Sequence, residues 1–153
     1  MKTVNFLIIV MIFISLSCTQ KTVLSEEEKQ VVETEIVQFM DTLVDVMNSV
    51  SADDFFKYFL QTEDFVVATQ GQLIVNPSAV LDTMKVHMAF MEKQINKPVM
   101  DKIYVITNDA AVISTSKIAT ITFKSGGEIT MPYALTMLLV KREGKWKIAH
   151  YHN

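Results

Sequence analysis

The sequence predicts an α+β domain in which three helices come first and a curved antiparallel sheet follows. Apolar residues recur at helical steps of three and four between Val32 and Met91, and strict two-residue alternation replaces that spacing after Pro98. Helices that precede the strands, without alternating with them, are typical of α+β folds and not of parallel α/β folds. A chain of 153 residues has room for one ordinary domain.

Residues 1–17 have the composition of an export signal. Lys2 gives a positive start, and residues 6–16 form an almost unbroken apolar run. This run is shorter than the roughly 20 residues that a membrane-spanning helix needs. A short apolar run followed by small residues is typical of a signal peptide, so we predict that residues 1–17 are removed.

Two interpretations of the cleavage site remain open. Ser15 and Ser17 before Cys18 fit an ordinary signal peptidase site. The segment also resembles the bacterial lipobox, in the looser form of Bacteroidota-like sequences, and this implies lipid on Cys18. Cys18 is the chain's one cysteine, and lipidation removes an otherwise free thiol. We therefore expect residues 18–24 to be the lipidated cysteine and a tether.

The expected location is the cell envelope, with a lipid anchor in a membrane. Thr19 after the cysteine is not the aspartate that retains some lipoproteins at the inner membrane, so the outer membrane is favoured. A secreted or periplasmic protein is the alternative. Without Lys2 the chain has 13 basic and 17 acidic residues and no basic block. That balance argues against nucleic acid as a partner.

The first half of the chain contains start signals for three helices. Ser25 and Glu28 form a capping box, which opens a predicted helix of about 24 residues. Its apolar stripe consists of Val32, Ile36, Phe39, Leu43, Val46 and Val50. Ser51 caps a short second helix, and short strands follow at 65–69 and 73–75. Asn76 and Pro77 start a third helix, which is predicted to continue to about Gln94.

The second half of the chain is predicted to consist of strands joined by turns. The predicted strands are 103–107, 111–123, 129–139 and 145–152, with turns at Asn108-Asp109, 125–127 and Glu143-Gly144. Pro98 is predicted to end the helical part. Pro132 lies within a predicted strand and cannot donate a ladder hydrogen bond, so it is expected at a bulge or a sheet edge.

The C-terminal strand resembles the SnoaL-like branch of the nuclear transport factor 2-like superfamily. The motif residues are Gly144, Trp146, Lys147, Ile148, His150 and His152. The resemblance covers residues 25–153 and implies a cone-shaped sheet with a pocket at its wide end. Members of this superfamily include isomerases, cyclases, dehydratases, binding modules and dimerisation domains, so the fold does not select one function.

The histidines of the last strand are the first candidates for chemistry. Alternation along a strand predicts that Trp146, Ile148 and both histidines share one face. His150 in a pocket would be a general acid or base, assisted by Tyr58 or Asp41. The alternatives are that His150 packs in the core and that Asp41 lies on a solvated helix face. A His-x-His pair lacks the third protein ligand of a zinc site, so no metal or cofactor is predicted.

Aromatic and methionine side chains suggest an apolar pocket, although the same residues would suit an ordinary core. The predicted ligand-binding residues are Phe55, Phe59, Met84, His87, Tyr104, Met131, Tyr133, Trp146 and His150. The leading hypothesis is a lipid-anchored domain that binds a small apolar molecule. One alternative is a SnoaL-like enzyme that transfers protons. The other is a homodimer formed through Ala134, Thr136 and Leu138.

Overall fold

The computed structural model describes residues 23–153, so residues 1–17, Cys18 and most of the predicted tether lie outside the described residues. The elements are α1 (Glu26–Asn48), α2 (Ala52–Phe56), β1 (Val66–Thr69), β2 (Gln72–Ile74), α3 (Pro77–Ala89), β3 (Met91–Thr107), β4 (Ala110–Phe123), β5 (Glu128–Arg142) and β6 (Lys145–His152). The predicted α+β order is confirmed.

The first helix begins at the predicted capping box. The Glu28 amide donates to Ser25 Oγ at 3.2 Å, and the Ser25 amide donates to the Glu28 carboxylate at 2.8 Å. This reciprocal pair satisfies two amides that have no partner inside the helix. Met40, which the predicted stripe omits, is buried on the inner face. Val50 is not part of α1, because it follows the helix with φ of 55°.

The predicted end of the third helix is wrong. The helix ends at Ala89, and β3 begins at Met91 and pairs with β4 along its whole length. The helical spacing of apolar residues continues past Ala89 in the sequence. The chain nevertheless forms a strand there, because it pairs with β4 and buries Asn96. Pro98 therefore does not end the helical part. It lies in an edge strand beside a register shift, where a missing amide is tolerated.

The sheet has six strands in the order β2-β1-β6-β5-β4-β3, and the helices pack on its inner face. Its pairs are antiparallel except for β1 and β6, which run parallel. Pro132 lies where β5 pairs with β4 only, since pairing of β5 with β6 covers Thr136–Arg142. The edge alternative predicted for Pro132 is thus correct.

The core lies between α1 and the inner face of the sheet. Ile36 and Leu43 of the helix and Ile113, Leu139 and Ile148 of the strands are almost completely buried. Burial of each such side chain stabilises the fold by roughly 1.5–3 kcal/mol. The buried residues of α1 are three or four positions apart, and those of the strands are two apart, so both periodicities are visible in the sequence.

A polar clamp joins α1 to the sheet beside this core. Trp146 Nε1 donates to Glu35 Oε2 at 2.9 Å, and Lys141 Nζ pairs with the same oxygen. The Lys141 ammonium also lies 5.0 Å from the centre of the Trp146 ring. One helix carboxylate thereby fixes residues of β5 and β6 together.

We expect Glu35→Gln to reduce stability at neutral pH and to flatten its acid dependence. The hydrogen bonds from Lys141 and Trp146 hold the pKa of the Glu35 carboxyl below its usual value. Stability from such a group is present above the unfolded-state pKa of about 4.3 and is lost as pH falls through the folded-state pKa. Because Glu35 is partly exposed, the loss at pH 7 should be about 1 kcal/mol.

Urea unfolding at pH 7 and pH 3.5 measures this effect. Glu33→Gln is the matched control, since Glu33 lies on the same helix and forms no ion pair with the described residues. If Glu35→Gln and Glu33→Gln lowered the free energy of unfolding equally and with the same pH dependence, the clamp would have no particular role in stability.

Candidate functional site

A partly open cavity lies between α2, α3 and the edge of the sheet formed by β2, β1 and the end of β6. Its volume is about 180 Å³. The lining residues are Phe55, Phe59, Val67, Thr69, Ile74, Val80, Thr83, Met84, His87, Tyr151 and Asn153. Apolar side chains dominate this set, and none of its side chains is a carboxylate, so the cavity suits a mostly apolar ligand.

Packed aromatic rings form one wall of the cavity. Phe59 is 1% exposed, and its ring centre lies 5.1 Å from that of Phe55 and 5.5 Å from that of Phe65, both edge to face. The Tyr151 ring lies 6.3 Å from Phe59 on the cavity side. The chain after α2 is held against β6 because the Leu60 amide donates to the Ile148 carbonyl at 2.8 Å. The wall is therefore fixed by both packing and backbone hydrogen bonds.

Tyr151 supplies a distinctive polar group of the cavity. Burial raises the pKa of its phenol to about 12, and hydrogen bonds within the described residues make no contribution to that shift. The hydroxyl is therefore protonated at neutral pH and has a hydrogen to donate. An unused donor in an apolar cavity suits a ligand that has one hydrogen-bond acceptor.

Four of the nine predicted ligand-binding residues come together in this cavity: Phe55, Phe59, Met84 and His87. Phe55 belongs to α2, and Met84 and His87 are three residues apart on α3. A spacing of three places two helix residues on the same face. The helix periodicity that suggested this pair was therefore informative about the cavity.

The other predicted ligand-binding residues lie elsewhere. Tyr104 is 70% exposed and Met131 is 42% exposed. The Tyr133 hydroxyl donates to Asn96 Oδ1 at 2.8 Å under α1, and Trp146 belongs to the Glu35 clamp. None of these four residues lines the cavity.

The predicted shared face of the last strand is wrong, and the cause is a bulge. In the pairing with β5, Leu139 is opposite Ile148, but Leu138 is opposite His150, so Ala149 is an extra residue. Opposite residues in a sheet share a face. Leu139 is fully buried, whereas Leu138 faces outward. His150 therefore lies on the outer face, away from Trp146 and Ile148.

The bulge also determines where Tyr151 and His152 lie. Tyr151 is opposite Met137, which is buried on the inner face, and His152 is opposite Thr136 on the outer face. The predicted catalytic group of His150, Tyr58 and Asp41 is accordingly dispersed. The Tyr58 ring packs edge to face on Phe39 at 5.8 Å, outside the cavity lining. Asp41 is exposed on α1.

Sequence reasoning missed Tyr151 and the residues of β1. A signal for the bulge was present: Ile148 and Ala149 are adjacent apolar residues, and Tyr151 lies between two polar histidines. That pattern is what one inserted residue produces in an alternating strand. Val67 and Thr69 join the site through the parallel pairing of β1 with β6, which no local pattern indicates.

Residues 23–153 contain no group of three or more histidine, cysteine, aspartate or glutamate side chains placed to hold a metal ion. Nor do the helices of this region include one with the length and hydropathy of a membrane span.

The family follows from the sequence match together with this fold. Residues 36–153 match the SnoaL-like domain family, so the chain belongs to that family. Among curated proteins, none matches the sequence significantly. The SnoaL-like and nuclear transport factor 2-like fold includes both ligand-binding and enzymatic members.

Solved structures share the fold at low sequence identity. A nuclear transport factor 2-like protein from Salmonella enterica superposes with a TM-score of 0.72 at 16% identity, covering 81% of this chain and 90% of its own. A hexachlorocyclohexane dehydrochlorinase gives 0.67 at 11% identity, with 84% and 87% covered. The association domain of Caenorhabditis elegans CaMKII gives 0.65 at 17% identity, with 84% and 98% covered. These similarities establish the fold alone.

We expect Tyr151→Phe to reduce the loss of stability that the protein undergoes in alkali. A phenol whose folded-state pKa is raised contributes stability below the unfolded-state pKa of about 10. That stability is lost as pH rises from about 10 towards the folded-state value of about 12. Urea unfolding at pH 9 and pH 11 measures the difference. Tyr104→Phe is the control because Tyr104 is exposed, and an equal effect of both variants would contradict burial of Tyr151.

Proposed function

We propose that the domain binds a small, uncharged and mostly apolar molecule in the cavity between α2, α3 and β6. The observation that carries the proposal is an apolar cavity into which the Tyr151 phenol brings an unused hydrogen-bond donor. A packed core ordinarily leaves few voids larger than a water molecule. Binding of a ligand would fill the void and give the phenol an acceptor.

The cavity volume restricts the size of the ligand. Apolar cavities of about 150 Å³ are known to bind benzene, whereas drug-sized ligands occupy about 300–1,000 Å³. The volume of about 180 Å³ here suits a molecule with one ring or a short branched chain. His87 and Tyr151 would contact the polar end of this molecule, and Phe59 and Met84 its apolar part.

Binding is better supported than proton-transfer catalysis. The cavity lining contains His87 as its one candidate side-chain base and contains no side-chain carboxylate to orient it. His150, Tyr58 and Asp41, which were the predicted catalytic residues, are separated from each other and from the cavity. A SnoaL-like isomerase, cyclase or dehydratase would have to rely on His87 and Tyr151 alone.

We expect Met84→Trp to abolish ligand binding because the larger side chain fills the cavity. Met131→Trp makes the same change on an exposed strand position and should bind normally. Binding of one-ring phenols, ketones and alkyl benzenes is measured by native mass spectrometry and by NMR titration. Protein purified from its own host should retain a small molecule that Met84→Trp lacks. Absence of any binding by the unaltered protein across these compounds would refute the proposal.

The proposal includes export and a lipid anchor on Cys18. A short apolar signal followed by a single cysteine supports this. Two or more acyl chains give stable membrane attachment, whereas one gives marginal binding. The tether of residues 18–24 would place the cavity close to an envelope membrane, with the outer membrane as the favoured site.

Metabolic labelling with a palmitate analogue tests the anchor in a Gram-negative host. The unaltered chain should incorporate label and partition into detergent, and Cys18→Ala should do neither. Detection of unlabelled, soluble protein in the periplasm for both chains would show that the ordinary signal-peptide alternative is correct.

A second proposal is that the outer face of the sheet forms a homodimer. The cross-strand pairs there are Val112–Leu138, Ser114–Thr136, Ser116–Ala134, Ile118–Pro132 and Thr120–Thr130, none of which is charged. Water-facing sheet surfaces are ordinarily polar. These ten residues lie on β4 and β5 and would form the centre of an interface, since each partner of a stable complex buries about 800 Å². The similarity to an association domain agrees with this proposal.

We expect Thr136→Glu to convert a dimer into a monomer, because it would bring two buried like charges together at the centre of the interface. Thr42→Glu adds the same charge on exposed α1 and should leave the dimer intact. Sedimentation velocity at several concentrations distinguishes the two states. A monomer at high concentration for the unaltered protein would eliminate the dimer.

A further inference from the structure

The buried polar side chains of the described residues are concentrated at one place. Gln94, Asn96, Thr115 and Lys117 make up this group, and all four lie on β3 and β4. Thr115 and Lys117 alternate with outward residues and face inward beneath the second half of α1. Burial of polar groups is costly unless they are hydrogen-bonded, so such a concentration within a core requires a physical reason.

Asn96 is the member of this cluster whose side chain has hydrogen-bond partners among the described residues. Asn48 Oδ1 accepts from the Asn96 amide at 2.8 Å and from Asn96 Nδ2 at 3.0 Å. The Tyr133 hydroxyl donates to Asn96 Oδ1, as described above. These three residues form a satisfied network that fixes the end of α1 on the sheet.

Thr115 and Lys117 have no such partners within residues 23–153. Thr115 Oγ1 is buried without a hydrogen-bond partner. Lys117 is 2% exposed, yet it takes part in none of the ion pairs of the described residues. Its Nζ is thus more than 4.0 Å from every carboxylate there. An ammonium that ends an almost wholly buried side chain and lacks an ion pair among the described residues is unusual, and it indicates a group that it is placed to meet.

Lys117 lines a cleft between α1 and the strands β3 and β4. The cleft has a volume of about 270 Å³ and is distinct from the apolar cavity, with which it shares no lining residue. Met40, Val44 and Pro98 contribute apolar walls. The register of the edge strand shifts between Pro98 and Met100, at the mouth of the cleft. Bulges of this kind are common beside functional sites.

The charges of the cleft have a definite arrangement. Lys117 is at the buried end, and Asp41, Asp45 and Asp101 line the exposed end. On β3 and β5 the cross-strand neighbours of Lys117 are Pro98 and Tyr133, which bring no charge. A simple anion would have to pass three carboxylates, and a simple cation would meet the ammonium. A ligand with both charges, one at each end, satisfies the whole arrangement.

We propose that this cleft is a binding site for a small zwitterion of the amino-carboxylate class. Its carboxylate contacts Lys117 Nζ, and its ammonium contacts Asp41, Asp45 and Asp101. Lys117 forms no ion pair with these acids, so both charges of the cleft are available to the ligand. The site does not depend on the apolar cavity and takes a different chemical class of ligand.

Titration of the isotope-labelled protein with ω-amino acids, from glycine to 6-aminohexanoate, tests the proposal. Amide shifts should cluster at residues 98–101 and 115–117, with one chain length bound best. Lys117→Met should weaken binding at least tenfold and keep the fold, since it replaces a buried charge with an apolar side chain of similar length. Lys102→Met, on the opposite face of β3, is the control and should bind normally.

Asp41→Asn with Asp45→Asn alters exposed positions only and should also weaken binding at least tenfold. Met84→Trp should leave it unchanged, which separates this site from the apolar cavity. Acetate or methylammonium binding as tightly as the best amino acid would overturn the zwitterion assignment. Absence of shifts with every compound at millimolar concentration would overturn the site itself.

Discussion

One extra residue in the last strand determines which side chains reach the interior of this domain. Ala149 breaks the alternation of β6, so that Ile148 and Tyr151 both face inward although they are three residues apart. Without the bulge, His150 would occupy the cavity wall and the phenol would face outward. The cavity wall would then carry the His150 imidazole, which is a base, in place of the Tyr151 phenol, which is a hydrogen-bond donor.

The described domain has two interior environments, and both lie on the inner face of the sheet. Near β1, β2 and the end of β6, aromatic rings enclose an apolar cavity, while under the second half of α1 the strands β3 and β4 bury amides and an ammonium. The Glu35 clamp lies on the same helix and holds it against β5 and β6. Because α1 is fixed at both the clamp and the Asn48 network, neither environment can collapse by movement of the helix.

The sequence was most informative where a local pattern has a single structural solution. The capping box at Ser25 and the alternation from Ile129 to Leu139 predicted α1 and β5 well. It was least informative where long-range pairing decides. The end of α3 at Ala89 depends on pairing with β4, and the β1–β6 contact brings residues more than 80 positions apart together. Half of the cavity wall follows from that contact, so only the helical half was predictable.

The most direct test of this account is the side of the sheet on which Tyr151 lies. Nuclear Overhauser effects report contacts within about 5 Å and therefore distinguish adjacent strand residues that face opposite sides. The account predicts cross-peaks from the Tyr151 ring to the Phe59 ring and the Met137 methyl group, and from the His150 ring to Val66 and Leu138. Cross-peaks from the His150 ring to Phe59 or Met137 would contradict it.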